Sequence, residues 1–184
     1  WDTQSTLNIQ LEFLDLSILS TLSLPETKNK QSASFTTLPL VSLASQAVYY
    51  QGINWGAINL QLQPQIDKLH IQQMNLVSAE KHFSASGDWF WQGAETMQLS
   101  GQLVHQNFGQ FLQARQLSSN LVGAQAKIDF SLNWAGSPHH FLAEKQSLSG
   151  YLDIDLKNGR ILGVEPGLGR ILGGLDIWKL RDRL

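Results

Sequence analysis

A mainly β, antiparallel fold is predicted for this 184-residue chain. Apolar and polar residues alternate with period two along most of its length, the mark of strands with one apolar face. Breaks bearing glycine, proline or asparagine recur at roughly the eight-to-twelve-residue spacing of an antiparallel meander. Polar positions hold Gln, Asn, Ser and Thr rather than charge, which makes up 15% of the residues, as suits surfaces built from strands. Two short helices are expected near 106–117 and 166–183.

The first element has Leu7, Ile9, Leu11 and Phe13 alternating with Asn8, Gln10 and Glu12. Leu14 and Leu16 then shift the phase, which marks a bulge or a strand end. Residues 25–34 are polar and aperiodic and read as a loop, so 1–39 is taken as the end of a preceding β segment plus that loop. Five strands follow, at 41–49, 55–63, 68–78, 82–91 and 97–105. Their apolar positions are Ile58, Leu60 and Leu62; Leu69 and Ile71; Phe83, Ala85, Gly87, Trp89 and Trp91; and Met97, Leu99 and Leu103. "QGINWG", Pro64 and "WQGAE" supply the turns. "NFGQFLQARQL" changes to helical spacing, with Phe108, Phe111, Leu112 and Arg115 on adjoining positions, and its apolar side is expected to plug an end or edge of the sheet. A further strand sets Ala126, Ile128, Phe130, Leu132 and Trp134 against Lys127, Asp129, Ser131 and Asn133. The last sets Leu148, Gly150, Leu152, Ile154 and Leu156 against Tyr151, Asp153 and Asp155. After it, Asn158-Gly159 reads as a type I′ hairpin turn that returns the chain into 160–164.

The stretch "NGRILGVEPGLGRILGGL" invites a phosphate-binding reading, with six glycines in eighteen positions. Spacing excludes it. A dinucleotide turn begun at Gly167 and Gly169 needs glycine where Leu172 stands, and a P-loop begun at Gly163 needs one where Leu168 stands. The stretch reads instead as a helix opened by Pro166, with Leu168, Ile171, Leu172 and Leu175 on one face and Gly173-Gly174 marking a bend or close approach. Beyond it, Trp178 is interleaved with Lys179, Arg181 and Arg183; with Arg170, four basic residues stand against Asp176 and Asp182. Such a helix can cap the sheet with its charges in water, or lie at a membrane interface.

Composition narrows the function classes. Thirteen basic against fifteen acidic residues give a net charge of −2, which argues against a nucleic-acid partner. The chain has no cysteine, so thiol catalysis and thiolate metal sites are out. His70, His82 and His105 fall on predicted polar strand faces and His139-His140 in a loop; no third ligand stands at metal-binding spacing, and no cofactor is expected. Asp153 and Asp155 share a face as paired carboxylates do, but they read as a solvated strand surface, and no nucleophile–histidine–acid set can be assembled. The chain opens on Trp1 with no signal segment or long apolar run, and is expected to be a piece of a longer protein whose anchor lies elsewhere. The residues alone favour a β-sandwich core over an open trough, since both give the same alternation. An outer-membrane barrel also alternates, but fits poorly with two helices.

"LVSLASQAVYYQGINWGAINLQLQPQIDKLHIQQMNLVSAEKHFSASGDWFW", "IDFSLNWAGSP" and "LSGYLDIDLKNGRILGVEPGLGRILG" resemble, in that order, the C-terminal region of the YhdP-type AsmA-like family of bridge-like lipid transport proteins, related to AsmA and TamB. The resemblance covers 40–184, and its most specific element is "NGRILGVEPGLGRILG" with Trp134, Gly136 and Pro138 upstream. It implies a strongly curved or twisted sheet forming an open apolar groove, within a very large periplasmic protein tethered to the inner membrane of Gram-negative bacteria. The implied role is to carry phospholipid between inner and outer membrane, without catalysis. On that implication the strand residues Leu7, Ile9, Leu11, Ile58, Leu60, Leu62, Leu69, Ile71, Phe83, Ala85, Trp89, Met97, Leu99, Leu103, Ile128, Phe130, Leu132, Leu152 and Ile154 line the groove against acyl chains. The final helix, with Leu168, Arg170, Ile171, Leu172, Leu175, Trp178, Lys179, Arg181 and Arg183, caps it or touches a bilayer. Gly174, Asp176 and Asp182 depart from the family's usual helix, and the family continues past this point, so the chain is expected to end within a domain. The runner-up role is a scaffold or protein-binding module in envelope assembly.

Overall fold

The computed structural model describes residues 5–17, 39–50, 52–114, 117, 120–136, 138 and 148–162. Among them are eight strands and one helix: β1 (Thr6–Asp15), β2 (Leu40–Tyr50), β3 (Ile53–Pro64), β4 (Lys68–Val77), β5 (Lys81–Phe90), β6 (Thr96–His105), α1 (Phe108–Ala114), β7 (Leu121–Ala135) and β8 (Ser149–Ile161). All eight strands belong to one sheet whose spatial order is the chain order, and β1 and β8 are its two edges, so the sheet is not a barrel. The final helix expected at 166–183, with Arg115 and the His139-His140 pair, lies outside the described residues.

Short turns join β2 through β6 as antiparallel neighbours, α1 lies in the connection from β6 to β7, and β7 and β8 are antiparallel neighbours in turn, as the alternation predicts. One pairing departs from the expected antiparallel sheet: β1 runs parallel to β2, Leu7 opposite Val41 and Phe13 opposite Ala47. The physical reason is the connection. Residues 16–39 are long enough to carry the chain back to the starting side, which a parallel pair requires and a tight turn forbids. The phase shift at Leu14 and Leu16 is a strand end: β1 stops at Asp15, whose carboxylate accepts the Ser17 N–H at 2.8 Å.

The Asn158-Gly159 hairpin is also corrected. β8 runs straight through both residues to Ile161, with Gly159 opposite Gly123 and Arg160 opposite Val122. Asn158 does adopt positive φ (58°), but so do Gly123 (71°) and Ala124 (68°) across the pair. The tolerance for left-handed backbone that makes Asn-Gly a good turn serves here to bend two paired strands together. A second irregularity lies in β4, where Ile71 pairs with Gly87 and Met74 with Ala85, so Gln72-Gln73 contributes one extra residue and both flanking apolar residues keep the same face.

A second sheet does not pack over this one, so the sandwich favoured by the residues alone is overturned among the described residues. Extended packing between elements joins only neighbouring strands, and α1 to β7. The helix forms where the spacing predicts, and Phe108 and Leu112 are buried at 2% and 5% exposure.

Candidate apolar groove

Register decides what the alternating apolar residues become. Reading partners across the seven strand pairs, three rows cross all eight strands on one face. The first runs Leu11, Ser45, Ile58, Leu76, Phe83, Leu103, Ile128, Ile154; the second Ile9, Leu43, Leu60, Met74, Ala85, Gly101, Phe130, Leu152; the third Leu7, Val41, Leu62, Ile71, Gly87, Leu99, Leu132, Gly150. A shorter fourth row, Leu69, Trp89, Met97 and Trp134, borders the third over β4 to β7. All nineteen strand positions expected to line a groove therefore stand on this one face.

The rows are buried in part: Ile58, Ile71, Ala85 and Phe130 are 8%, 5%, 7% and 7% exposed. Leu60, Leu62, Phe83, Leu103, Leu152 and Ile154 remain half-buried. At the edge strand β1, Leu7 and Leu11 are 49% and 36% exposed. Two tighter clusters flank the strip. Ile71, Met97 and Trp134 are buried together where the strands meet the 64–68, 90–96 and 135–149 connections, with Trp89, Leu99 and Leu132 against them. At the other strand ends Phe108 and Leu112 of α1 seal Ala126, with Phe111, Ile128 and Leu156 packed alongside. Between the clusters the rings of Phe83 and Phe130 stack at 5.6 Å although β6 separates their strands. Gly101 lies on β6 between Ala85 and Phe130, and a Cβ there would strike the Ser84 carbonyl oxygen, so this position lets the rings meet over a bare backbone.

The opposite face is polar and largely satisfied within itself. Ser100 and Ser131 hydroxyls bond at 2.8 Å, Gln102 donates to Asp129 at 2.6 Å, and Gln72 donates to Gln63 at 2.9 Å. Hydrogen bonds from Gln102 and Lys127 hold the Asp129 carboxyl below its ordinary range. Asp88 receives Lys68 Nζ at 3.1 Å and His70 Nδ1 at 2.8 Å. Partial burial pushes the Asp88 carboxyl up, but its bonds to His70 and Lys68 outweigh that and leave it below the usual value.

One polar-face assignment is corrected. His105 is 4% exposed and follows Leu99, Gly101 and Leu103 in phase, so it ends the apolar side of β6. Its Nδ1 accepts the Asn107 N–H at 3.1 Å, and its ring lies 5.1 Å from Phe111 and 6.1 Å from Phe108. The expected lining omitted β2 and the far half of β4, yet Val41, Leu43, Met74 and Leu76 complete the rows. "LVSLAS" carries the alternation for β2, and the doubled glutamine of "IQQM" signals the bulge that keeps Met74 in phase. Among the described residues no three His, Cys, Asp or Glu side chains gather to hold a metal, and no helix is long and apolar enough to cross a membrane.

A single open sheet whose three rows across one face are apolar apart from Ser45 and three glycines, with a hydrogen-bonded polar back, defines a β-groove protein. Residues 1–184 match the family model described as YhdP protein, and the chain belongs to the YhdP family. The match takes in 1–39, whose β1 extends the rows by one strand. No curated protein and no solved structure matches the chain.

Proposed function

We propose that this chain is a segment of a phospholipid-conducting groove, with acyl chains lying along the three apolar rows while they cross the aqueous space between inner and outer membrane. The observation that supports this best is the continuity of those rows over eight strands, with no second sheet over them among the described residues. Exposing a tail of about fifteen methylenes to water costs on the order of 12 kcal/mol, at roughly 0.8 kcal/mol each, so transfer needs unbroken apolar surface. Seven inter-strand steps of about 4.8 Å make the strip roughly 34 Å long around the sheet, against about 15 Å for one leaflet's hydrocarbon. One tail fits along it. Membership of the YhdP family supports a role in lipid transport. On this reading the protein works in the periplasm, tethered to the inner membrane, with both membranes and phospholipid as partners and with neither catalysis nor a cofactor.

Photocrosslinking residues at Leu60, Phe83 and Ile154, with Gln61 and Asp153 on the polar face as controls, test it in cells. Lipid adducts confined to the first three are expected; equal or lipid-free labelling on both faces would sink the reading. A scaffold role has one observation in its favour, the exposure of Phe13 (65%) with Leu7 and Leu11 on edge strand β1, where an added strand or a protein partner could seat. Protein adducts at those three positions without lipid at Phe83 would favour it.

A further inference from the structure

We propose that α1 is a fixed wall that narrows the groove over β7 and β8, withdrawing Leu156 and the helix-facing side of Ile128 from acyl chains and leaving Leu152 as the continuing track over a floor formed by the buried Phe130. This rests on the groove reading and specifies its path. The helix sits on the apolar face itself: Phe108 and Leu112 are buried against Ala126, with Ile128 and Leu156 packed beside them. Ile128 belongs to the first row, next to Leu103 on one side and Ile154 on the other. A tail following that row from Ile58 through Leu76 and Phe83 therefore meets the helix at β7. It must pass to the half-buried Leu152 on β8, crossing Phe130, which is 7% exposed in its stack with Phe83 and forms the floor there.

Several contacts make α1 a wall and not a swinging lid. Gly109 presses on the start of β7 so closely that a Cβ would stand 2.5 Å from the Leu121 carbonyl oxygen and 2.6 Å from that of Gly123. Asn107 opens the helix, bonding its side chain to Gln110 at 2.7 Å and its N–H to His105. The Leu117 N–H closes it on the Leu112 carbonyl at 2.9 Å. His105 completes the seat, wedged against both helix phenylalanines.

The absence of native cysteine gives a direct test. Single variants Leu152→Cys, Leu156→Cys and Asp153→Cys are treated with a methanethiosulfonate carrying a long alkyl chain, and separately with a small hydrophilic one; the ratio of the two rates is read. The track position Leu152→Cys should favour the alkyl reagent strongly over the polar-face Asp153→Cys, and Leu156→Cys should react at background rate with both. Adding Gly109→Val, or the milder Leu112→Ala, should raise alkyl labelling of Leu156→Cys while Leu152→Cys keeps its preference, which also reports that the sheet persists. Equal alkyl labelling at Leu152→Cys and Leu156→Cys in the native background overturns the wall and leaves the groove standing. Unchanged labelling of Leu156→Cys in Leu112→Ala, with Leu152→Cys intact, also overturns it. No alkyl preference at Leu152→Cys overturns the groove reading itself.

Discussion

The two faces of this sheet are drawn from alternate residues of the same strands, yet they meet their chemical needs in different ways. On the polar face the partners are already present: Ser100 with Ser131, Gln102 with Asp129, Gln72 with Gln63, His70 and Lys68 with Asp88. On the apolar face they are most complete at the two flanks, around Met97 and Trp134 and under α1, with Ile58, Ala85 and Phe130 also buried between them. The strip between, with Phe83, Leu103, Leu152 and Ile154 half-buried, has more apolar surface than the described residues cover. One face is complete in itself; the other is shaped to be completed.

The strongest way to break this contrast is a charge on each face. Met97→Asp places a carboxylate at a 2%-exposed position packed with Ile71 and Trp134, and should lower stability by about 3–5 kcal/mol in chemical denaturation. Asn59→Asp, exposed on the polar face between Ala44 and Asn75, should stay within about 0.5 kcal/mol. Similar losses at both positions would mean that the faces do not differ in environment. Next in size is Gly101→Val. Its Cβ would strike the Ser84 carbonyl oxygen and come within 2.9 Å of the Ala85 Cβ, so a loss of about 1–3 kcal/mol is expected, with the Phe83–Phe130 stack disturbed. Gly93, whose added Cβ would meet nothing within 4 Å, is the control for a glycine outside the rows, and Gly93→Ala should carry only the cost of its positive φ.

Much of this arrangement was legible in the sequence, and the reasons it stopped being legible are local. Alternation is a property of one strand, so the lining of β3, β5, β6, β7 and β8 could be read residue by residue. Pairing direction is a property of two strands and the path between them, so the parallel β1 left no trace in its own pattern. Asn158-Gly159 states that positive φ is available; whether it is spent on a turn or on a bend depends on Gly123 and Ala124, thirty-odd residues away. His105 was placed outward by residue type when its phase with Leu99, Gly101 and Leu103 placed it inward. The phase won because α1 supplies the aromatic seat that the ring needs. Nor does alternation distinguish a face awaiting a second sheet from one left open; that answer came from the packing of whole elements.

A smaller effect sharpens the comparison by measuring one pair on each face. A double-mutant cycle on Phe83→Ala and Phe130→Ala should give a coupling of about 0.5–1.5 kcal/mol for the stacked rings. The matching cycle on Ser100→Ala and Ser131→Ala should fall at or below about 0.5–1 kcal/mol, since water replaces a hydroxyl contact on an exposed surface. A larger coupling for the serines would shift the weight of the sheet's cohesion to the polar face.

The smallest effect is electrostatic and belongs to the polar face alone. Asp88 bonds His70 and Lys68 with side chains 23%, 35% and 25% exposed respectively. Its carboxyl lies below the ordinary 3.8 because those two bonds outweigh the opposing effect of partial burial. A carboxyl whose folded pKa is depressed contributes stability that is complete above the unfolded pKa and is lost as pH falls through it toward the folded value. The contribution should therefore be whole at neutral pH and fade below about pH 4, with a size under about 1 kcal/mol for a solvent-screened pair. Asp88→Asn should flatten the acid limb of the stability–pH curve by that amount and leave alkyl labelling of Leu152→Cys on the other face unchanged. An acid limb identical to that of the native protein would remove the Asp88 cluster from the account of the polar face. A change in labelling at Leu152→Cys would mean that the two faces, though one residue apart, do not act independently.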